Sequence, residues 1–263
     1  MSAPFFREAG SGPGVVCLHS NASSSSQWRG LTELLAARFH VLAPDTYGAG
    51  KSPPWPQGRK VALRDEVALL DPVFARAGER FSLVGHSYGG GIALIGALAH
   101  RQRLRSVALY EPTLFALVER ESPNDVDGIR NAVAAAVAAL GRGDAPAAAR
   151  CFIDFWMDEG AFDRMPERVQ AASAEAVRNI QGWKEALFGE PTPAEAFAAL
   201  DVPVLLMVGS KSPLSSRAVA RRLGRLLPRA ELAELEGLGH MGPITHPDVV
   251  NQRIRAFLER HAA

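Results

Sequence analysis

Five short runs in this chain are apolar at almost every position: "GVVCLH" (Gly14–His19), "HVLAPD" (His40–Asp45), "FSLVGHS" (Phe81–Ser87), "RSVALYEP" (Arg105–Pro112) and "VPVLLMVGS" (Val202–Ser210). A strand with one wet face alternates polar and apolar residues. Strands without a polar face must be covered on both sides, which is the situation in a parallel sheet between two layers of helices. Segments of helical spacing separate the runs: Trp28–Arg38, "VALRDEVALLDPVFARAG" (Val61–Gly78), "GGGIALIGALAHR" (Gly89–Arg101) and "SRAVARRLGRLLP" (Ser216–Pro228). A further strand, "AELAEL" (Ala230–Leu235), and a final helix, "PDVVNQRIRAFLERH" (Pro247–His261), complete an alternating α/β pattern.

The alternation is interrupted once. Residues 112–199 contain no convincing strand, only alanine-rich helical stretches broken by Pro and Gly. An insertion of that length between two sheet strands predicts a helical cap, or lid, at 112–199 on a core formed by 1–111 and 200–263. Its aromatic residues (Phe152, Phe155, Trp156, Phe162, Trp183, Phe188) could line a binding cavity or seat the lid on the body.

At 263 residues the chain is near the upper limit for one hydrophobic core. A formal net charge of +1 supplies neither a basic surface for nucleic acid nor a polybasic patch for anionic lipid. No stretch approaches the ~18–20 apolar residues of a membrane-spanning helix, and "MSAPFFREAGSGPG" does not have the makeup of a secretory signal. Two widely separated cysteines, Cys17 and Cys151, fit a reducing compartment, so the expected location is cytoplasmic.

The chemistry is concentrated at "GHSYG" (Gly85–Gly89), a G-x-S-x-G pattern between an apolar strand and a glycine-rich helix. A sharp turn there lifts the serine side chain above the sheet edge, and the flanking glycines let strand and helix backbones nearly touch. The free N–H groups of the helix start can face a developing oxyanion. Serine needs a base to become a nucleophile. Among the seven histidines, His240 in "LEGLGHMGP" stands out, between the last strand and the last helix. His19 and His86 are expected to be structural. "YGAGKS" lacks the first glycine of a phosphate-binding loop, and "GSGPG" precedes a strand where a dinucleotide fingerprint would follow one. No His/Cys/Asp group has metal-ligand spacing.

With Ser87 early and His240 late on an alternating sheet, the chain resembles the α/β-hydrolase superfamily, in particular its serine-nucleophile, esterase-like members with a helical cap. The resemblance covers almost the whole chain. "LHSNASSSSQW" resembles the loop that carries an oxyanion residue, with Ser20 in place of the usual glycine; "DTYGAGKS" (Asp45–Ser52) resembles a structural turn beside the site; "GHMGPITHPDVVNQRIRAFL" resembles the closing histidine loop and helix. By that match Asn21 and Tyr88 supply the two oxyanion N–H groups; the lid and the Trp28 neighbourhood are expected to shape a mainly apolar substrate pocket. Little chain precedes "FFREAG", so about seven strands are expected where the superfamily has eight.

No acid stands at the position where the superfamily usually carries it. The superfamily most often places an Asp in a Gly-x-x-Asp turn after the strand that follows the cap, but here "GSKS" puts Ser212 there, and no Asp or Glu occurs from Val202 to Ala230. Glu111, at the end of the strand after the nucleophile's helix, opens on the same crevice, and some members, certain haloalkane dehalogenases among them, carry the acid there. Two alternatives stand beside it: Glu111 as a rim residue, and a Ser–His dyad without an acid. The resulting expectation is a serine hydrolase of small carboxylic esters or related acyl compounds, working through an acyl-enzyme with Ser87, His240 and Glu111 and needing no metal or cofactor. C–C bond hydrolysis or perhydrolysis on the same scaffold, and a degenerate binding protein, are the competing readings.

Overall fold

The computed structural model describes residues 3–262, and its sheet has seven strands. They are β1 (Phe6–Ala9), β2 (Gly14–Leu18), β3 (His40–Pro44), β4 (Phe81–His86), β5 (Leu104–Tyr110), β6 (Val204–Gly209) and β7 (Ala230–Leu235), in spatial order β1-β3-β2-β4-β5-β6-β7. All neighbours pair in parallel except β1, which runs antiparallel to β3 at one edge. The central strands β2, β4 and β6 are buried at every residue, as runs with no polar face require. The edge strand β7 instead exposes Glu231 and Glu234, charges that discourage pairing with another chain.

Helices α1 (Arg29–Leu35), α2 (Leu63–Arg76) and α3 (Tyr88–Ala99) cover the first half of the sheet. On α2 the residues Leu63, Glu66, Val67, Leu70, Val73 and Phe74 form the buried stripe. Each large apolar member contributes roughly 1.5–3 kcal/mol by leaving water. Helix α3 is apolar on nearly every side and is buried to match. Between β5 and β6 the described residues contain no strand. They form α4 (Ala116–Glu119), α5 (Asp127–Gly141), α6 (Ala145–Trp156), α7 (Ala161–Arg164), α8 (Glu167–Ala176) and α9 (Ile180–Phe188). After β6 come α10 (Leu214–Leu226), α11 (Gly242–Thr245) and α12 (Pro247–Arg260).

Two apolar clusters flank the sheet. The larger holds α2, α3, α10 and the helices between β5 and β6; the smaller holds α1 and α12 with Val15, Val41, Leu205 and Met207 from the other face of the strands. Trp28 belongs to the smaller cluster and is 1% exposed. The expectation that it shapes the substrate cavity is therefore corrected. Trp28 ends a 3₁₀ turn at Ser25–Trp28 and packs in the cluster that holds α1 and α12, and it borders neither cavity at Ser87. Among the described residues no helix is long and apolar enough to cross a membrane.

Candidate active site

The serine elbow is a strained turn. Ser87 has φ 55°, ψ −118° and caps α3, while its N–H donates to the carbonyl of Tyr110 at 3.0 Å. A left-handed backbone at a non-glycine residue persists only where its surroundings enforce it. Here the enforcement is close packing: a Cβ on Gly89 would lie 2.4 Å from the Leu18 carbonyl, and one on Gly90 would lie 2.8 Å from Pro112 Cα. Helix and strand backbones fit only because these positions carry no side chain.

Ser87 Oγ lies 3.0 Å from Nε2 of His240, and His240 Nδ1 lies 2.7 Å from Oε2 of Glu111. All three side chains are buried. With Nδ1–H donating to the carboxylate, Nε2 is free to accept the serine proton. The other oxygen of Glu111 accepts from the Gly209 N–H at 2.8 Å and from the Ser212 hydroxyl. Ser212 thus holds the carboxylate whose position in the turn it occupies. Ser216 Oγ sits 3.3 Å from His240 Nδ1. Burial pushes the Glu111 carboxyl up, but the hydrogen bond and charge of His240, then Ser212 and the Gly209 N–H, outweigh burial and hold it below the ordinary carboxylate range. Like Ser87, Glu111 has positive φ (44°), and its N–H is tied to the Met207 carbonyl at 3.0 Å.

The rest of the surroundings fix His240. Tyr110 OH donates to the Gly239 carbonyl at 2.7 Å, and His86 Nε2–H donates to the His240 carbonyl at 2.9 Å. His86 Nδ1 accepts from Gln27 Nε2 at 3.1 Å, and Gln27 Oε1 accepts from both the N–H and the hydroxyl of Ser20. One chain of hydrogen bonds therefore joins the Ser20–Asn21 loop to the histidine loop. Burial keeps His86 well below the usual imidazole range, so this link is uncharged. Asn21 borders the same cavities as Ser87, and Tyr88 contributes an N–H in the unpaired first turn of α3. The Tyr88 side chain points the other way, its hydroxyl donating to Glu66 Oε1 at 3.0 Å. Asp45 ties down the neighbouring loop by accepting from Ser25 N–H (2.6 Å) and Lys51 N–H (2.9 Å).

The indole of Trp156, at the end of α6, stacks on the His240 ring with centroids 3.9 Å apart and planes 27° apart. This contact had no positional signal beyond the density of aromatics in that segment. Of those aromatics Phe152, Trp156, Trp183 and Phe188 border cavities at Ser87, whereas Phe162 is core and Phe155 packs beside Gly128. Among the described residues no group of three or more His, Cys, Asp or Glu could hold a metal ion.

A profile of the alpha/beta hydrolase family matches residues 15–253. The chain belongs to that family. An uncharacterized protein of Mycobacterium bovis is 40% identical over 94 residues, but the match spans 34% of this chain and only 26% of the relative. The pimeloyl-[acyl-carrier protein] methyl ester esterase of Nitrosomonas europaea is 25% identical over 266 residues, covering 94% of this chain and 96% of that one. Among solved structures, an alpha/beta hydrolase from Sphaerobacter thermophilus superposes with TM-score 0.72 at 25% identity, covering 97% of this chain and 96% of the other. The chain's neighbours thus share the alpha/beta hydrolase fold and include esterases.

Proposed function

We propose that this alpha/beta hydrolase is a serine carboxylic ester hydrolase acting on small esters or related acyl compounds. The observation that carries the reading is the buried hydrogen-bonded chain Ser87–His240–Glu111. In this reading His240 removes the Ser87 proton as Oγ attacks the ester carbonyl. The oxyanion is received by the N–H groups of Asn21 and Tyr88, and Glu111 fixes the imidazole tautomer and balances the imidazolium charge. His240 then gives its proton to the departing alcohol oxygen, leaving Ser87 acylated. Water attacks the acyl-enzyme with the same residue as base, releasing the acid. A serine nucleophile favours acyl transfer over displacement at carbon by a carboxylate.

Residues 112–199 serve in this reading as the cap over the site, on a core of 1–111 and 200–263. Trp156, reaching His240 from α6, supports that role. The esterase relatives support the substrate class. The free cysteines, Cys17 buried and Cys151 partly so, fit a cytoplasmic enzyme.

The test is covalent. A fluorophosphonate probe is expected to label Ser87 in the folded chain and not in Ser87→Ala, with p-nitrophenyl acetate hydrolysed by the first and not the second. Absence of labelling would identify a degenerate binding protein. Labelling together with turnover of a vinylogous diketone and no ester would shift the reading to C–C hydrolysis.

A further inference from the structure

Ser87 opens onto two cavities of unequal size. The inner one, about 20 Å³, lies under the helices between β5 and β6, where Phe115, Val133, Trp183 and Leu187 wall it. The outer one, about 180 Å³, is bordered by His240, Met241, Met157, Met165 and Ile244. Asn21, Ser87, Phe152 and Trp156 border both, so the Trp156 indole that stacks on His240 also partitions the space. The walls differ in character. The inner wall is mostly buried, with Lys184 and Phe188 half-buried at its edge, whereas Met157, Val169 and Ile244, which border the outer cavity, are 41%, 37% and 45% exposed.

We propose that the two cavities divide the substrate by size: the inner one takes a short acyl group of two or three carbons, and the outer one takes a larger, apolar alcohol. This rests on the serine-hydrolase reading and adds the substrate class to it. The direction follows from the proton. The group that leaves must receive its proton from His240, and only the outer cavity has His240 in its wall, so the alcohol oxygen lies on that side. The acyl chain is left with the inner cavity.

Capacity then sets the class. A cavity needs about 10–15 Å³ to hold one water-sized group, so the inner space admits one or two non-hydrogen atoms beyond the carbonyl. The outer space exceeds the ~150 Å³ apolar cavity that accommodates benzene, and its methionines can adapt to irregular shapes. Its exposed apolar rim lets a long alcohol extend into solvent, while the inner space is too small to take a long acyl chain.

The experiment varies each side separately. With p-nitrophenol fixed, kcat/KM is expected to fall at least 100-fold from acetate to octanoate. With acetyl fixed, the 2-phenylethyl ester is expected to be cleaved at least as efficiently as the methyl ester. Val133→Ala should raise the butyrate-to-acetate ratio at least fivefold, and Ile244→Trp should lower the 2-phenylethyl-to-methyl acetate ratio by a similar factor. Ser87 should react faster with a p-nitrophenyl methylphosphonate than with the octylphosphonate, a readout independent of turnover. Ester cleavage with an optimum at hexanoyl or longer, or with bulky acetates rejected, would overturn the division of cavities and leave the hydrolase reading standing. No reaction of Ser87 with any ester or phosphonate would overturn both.

Discussion

Replacing Glu111 by Gln changes no more than one atom's identity, yet the geometry predicts a large loss. Glu111 Oε1 accepts two donors, the Gly209 N–H and the Ser212 hydroxyl, and Oε2 faces His240 Nδ1. In the amide the single carbonyl oxygen is claimed by the two donors, so the NH₂ turns toward Nδ1. To accept from it, the imidazole must move its proton to Nε2, where it faces Ser87 as a donor and can no longer accept the serine proton. The charge is lost as well. At an effective dielectric of about 20, unit charges ~4 Å apart attract by roughly 4 kcal/mol, or about three decades of rate on the imidazolium-forming step. With the wrong tautomer added, kcat should fall ~10⁴-fold, the size seen when a triad acid is neutralised in place. The assay is kcat and kcat/KM on p-nitrophenyl acetate, with circular dichroism and thermal melting to show that the fold persists. A kcat within tenfold of the parent would refute the reasoning and favour a dyad in which Glu111 is structural.

Because Ser212 already touches the Glu111 carboxylate, adding Ser212→Asp to Glu111→Gln should restore at least tenfold of the lost kcat; no recovery would mean that the turn after β6 cannot aim a carboxylate at His240. Glu66 is fully buried between Tyr88 OH and the Tyr47 N–H, and burial raises its carboxyl from the ordinary value to about 7. A raised carboxyl binds its proton more tightly when folded. Its stabilisation is complete below about pH 4.5 and is lost as pH rises through about 7, a loss of about 3 kcal/mol over that window. Glu66→Gln, a permanent mimic of the neutral form, should remove that part of the pH dependence in urea unfolding; an unchanged profile would show that Glu66 titrates normally. Gly89→Ala would set a Cβ 2.4 Å from the Leu18 carbonyl and should prevent soluble folding or cost several kcal/mol in thermal melting, whereas a neutral substitution would show that the elbow can relax.

The sheet was legible because its inner strands lack a polar face, and the observed seven strands match the expected number. The antiparallel β1 was harder to see. Its residues "FREA" are half exposed and carry charge, so neither alternation nor a long apolar run marks them. Glu111 was reachable only by reasoning about which strand ends share a crevice, because the chain separates it from His240 by 129 residues. Glu66 had a signal that went unread: a carboxylate on the buried stripe of an amphipathic helix, where a charge needs a partner. Trp28 departs from the expectation because the 3₁₀ turn and α1 seat it in the cluster on the other face of the sheet, which local spacing does not encode. Trp156 depends on how α6 is laid over the core, a tertiary outcome that no local spacing encodes.

The anchoring of the three groups is unequal. Ser87 and Glu111 end neighbouring strands whose ladder is in register at His86 and Tyr110, and the N–H of each is bonded to the next strand's carbonyl. His240 belongs to no strand. It is held by side chains, Glu111 on its ring and Tyr110 and His86 on its loop's carbonyls, and by the stacked Trp156. On gradual warming Ser87 and Glu111 should keep their separation until the sheet itself melts, while the histidine loop loosens at lower temperature. Heat inactivation would then begin as a reversible loss of alignment at one corner of the site, and improvements in working temperature would come from bracing that corner before reinforcing the core.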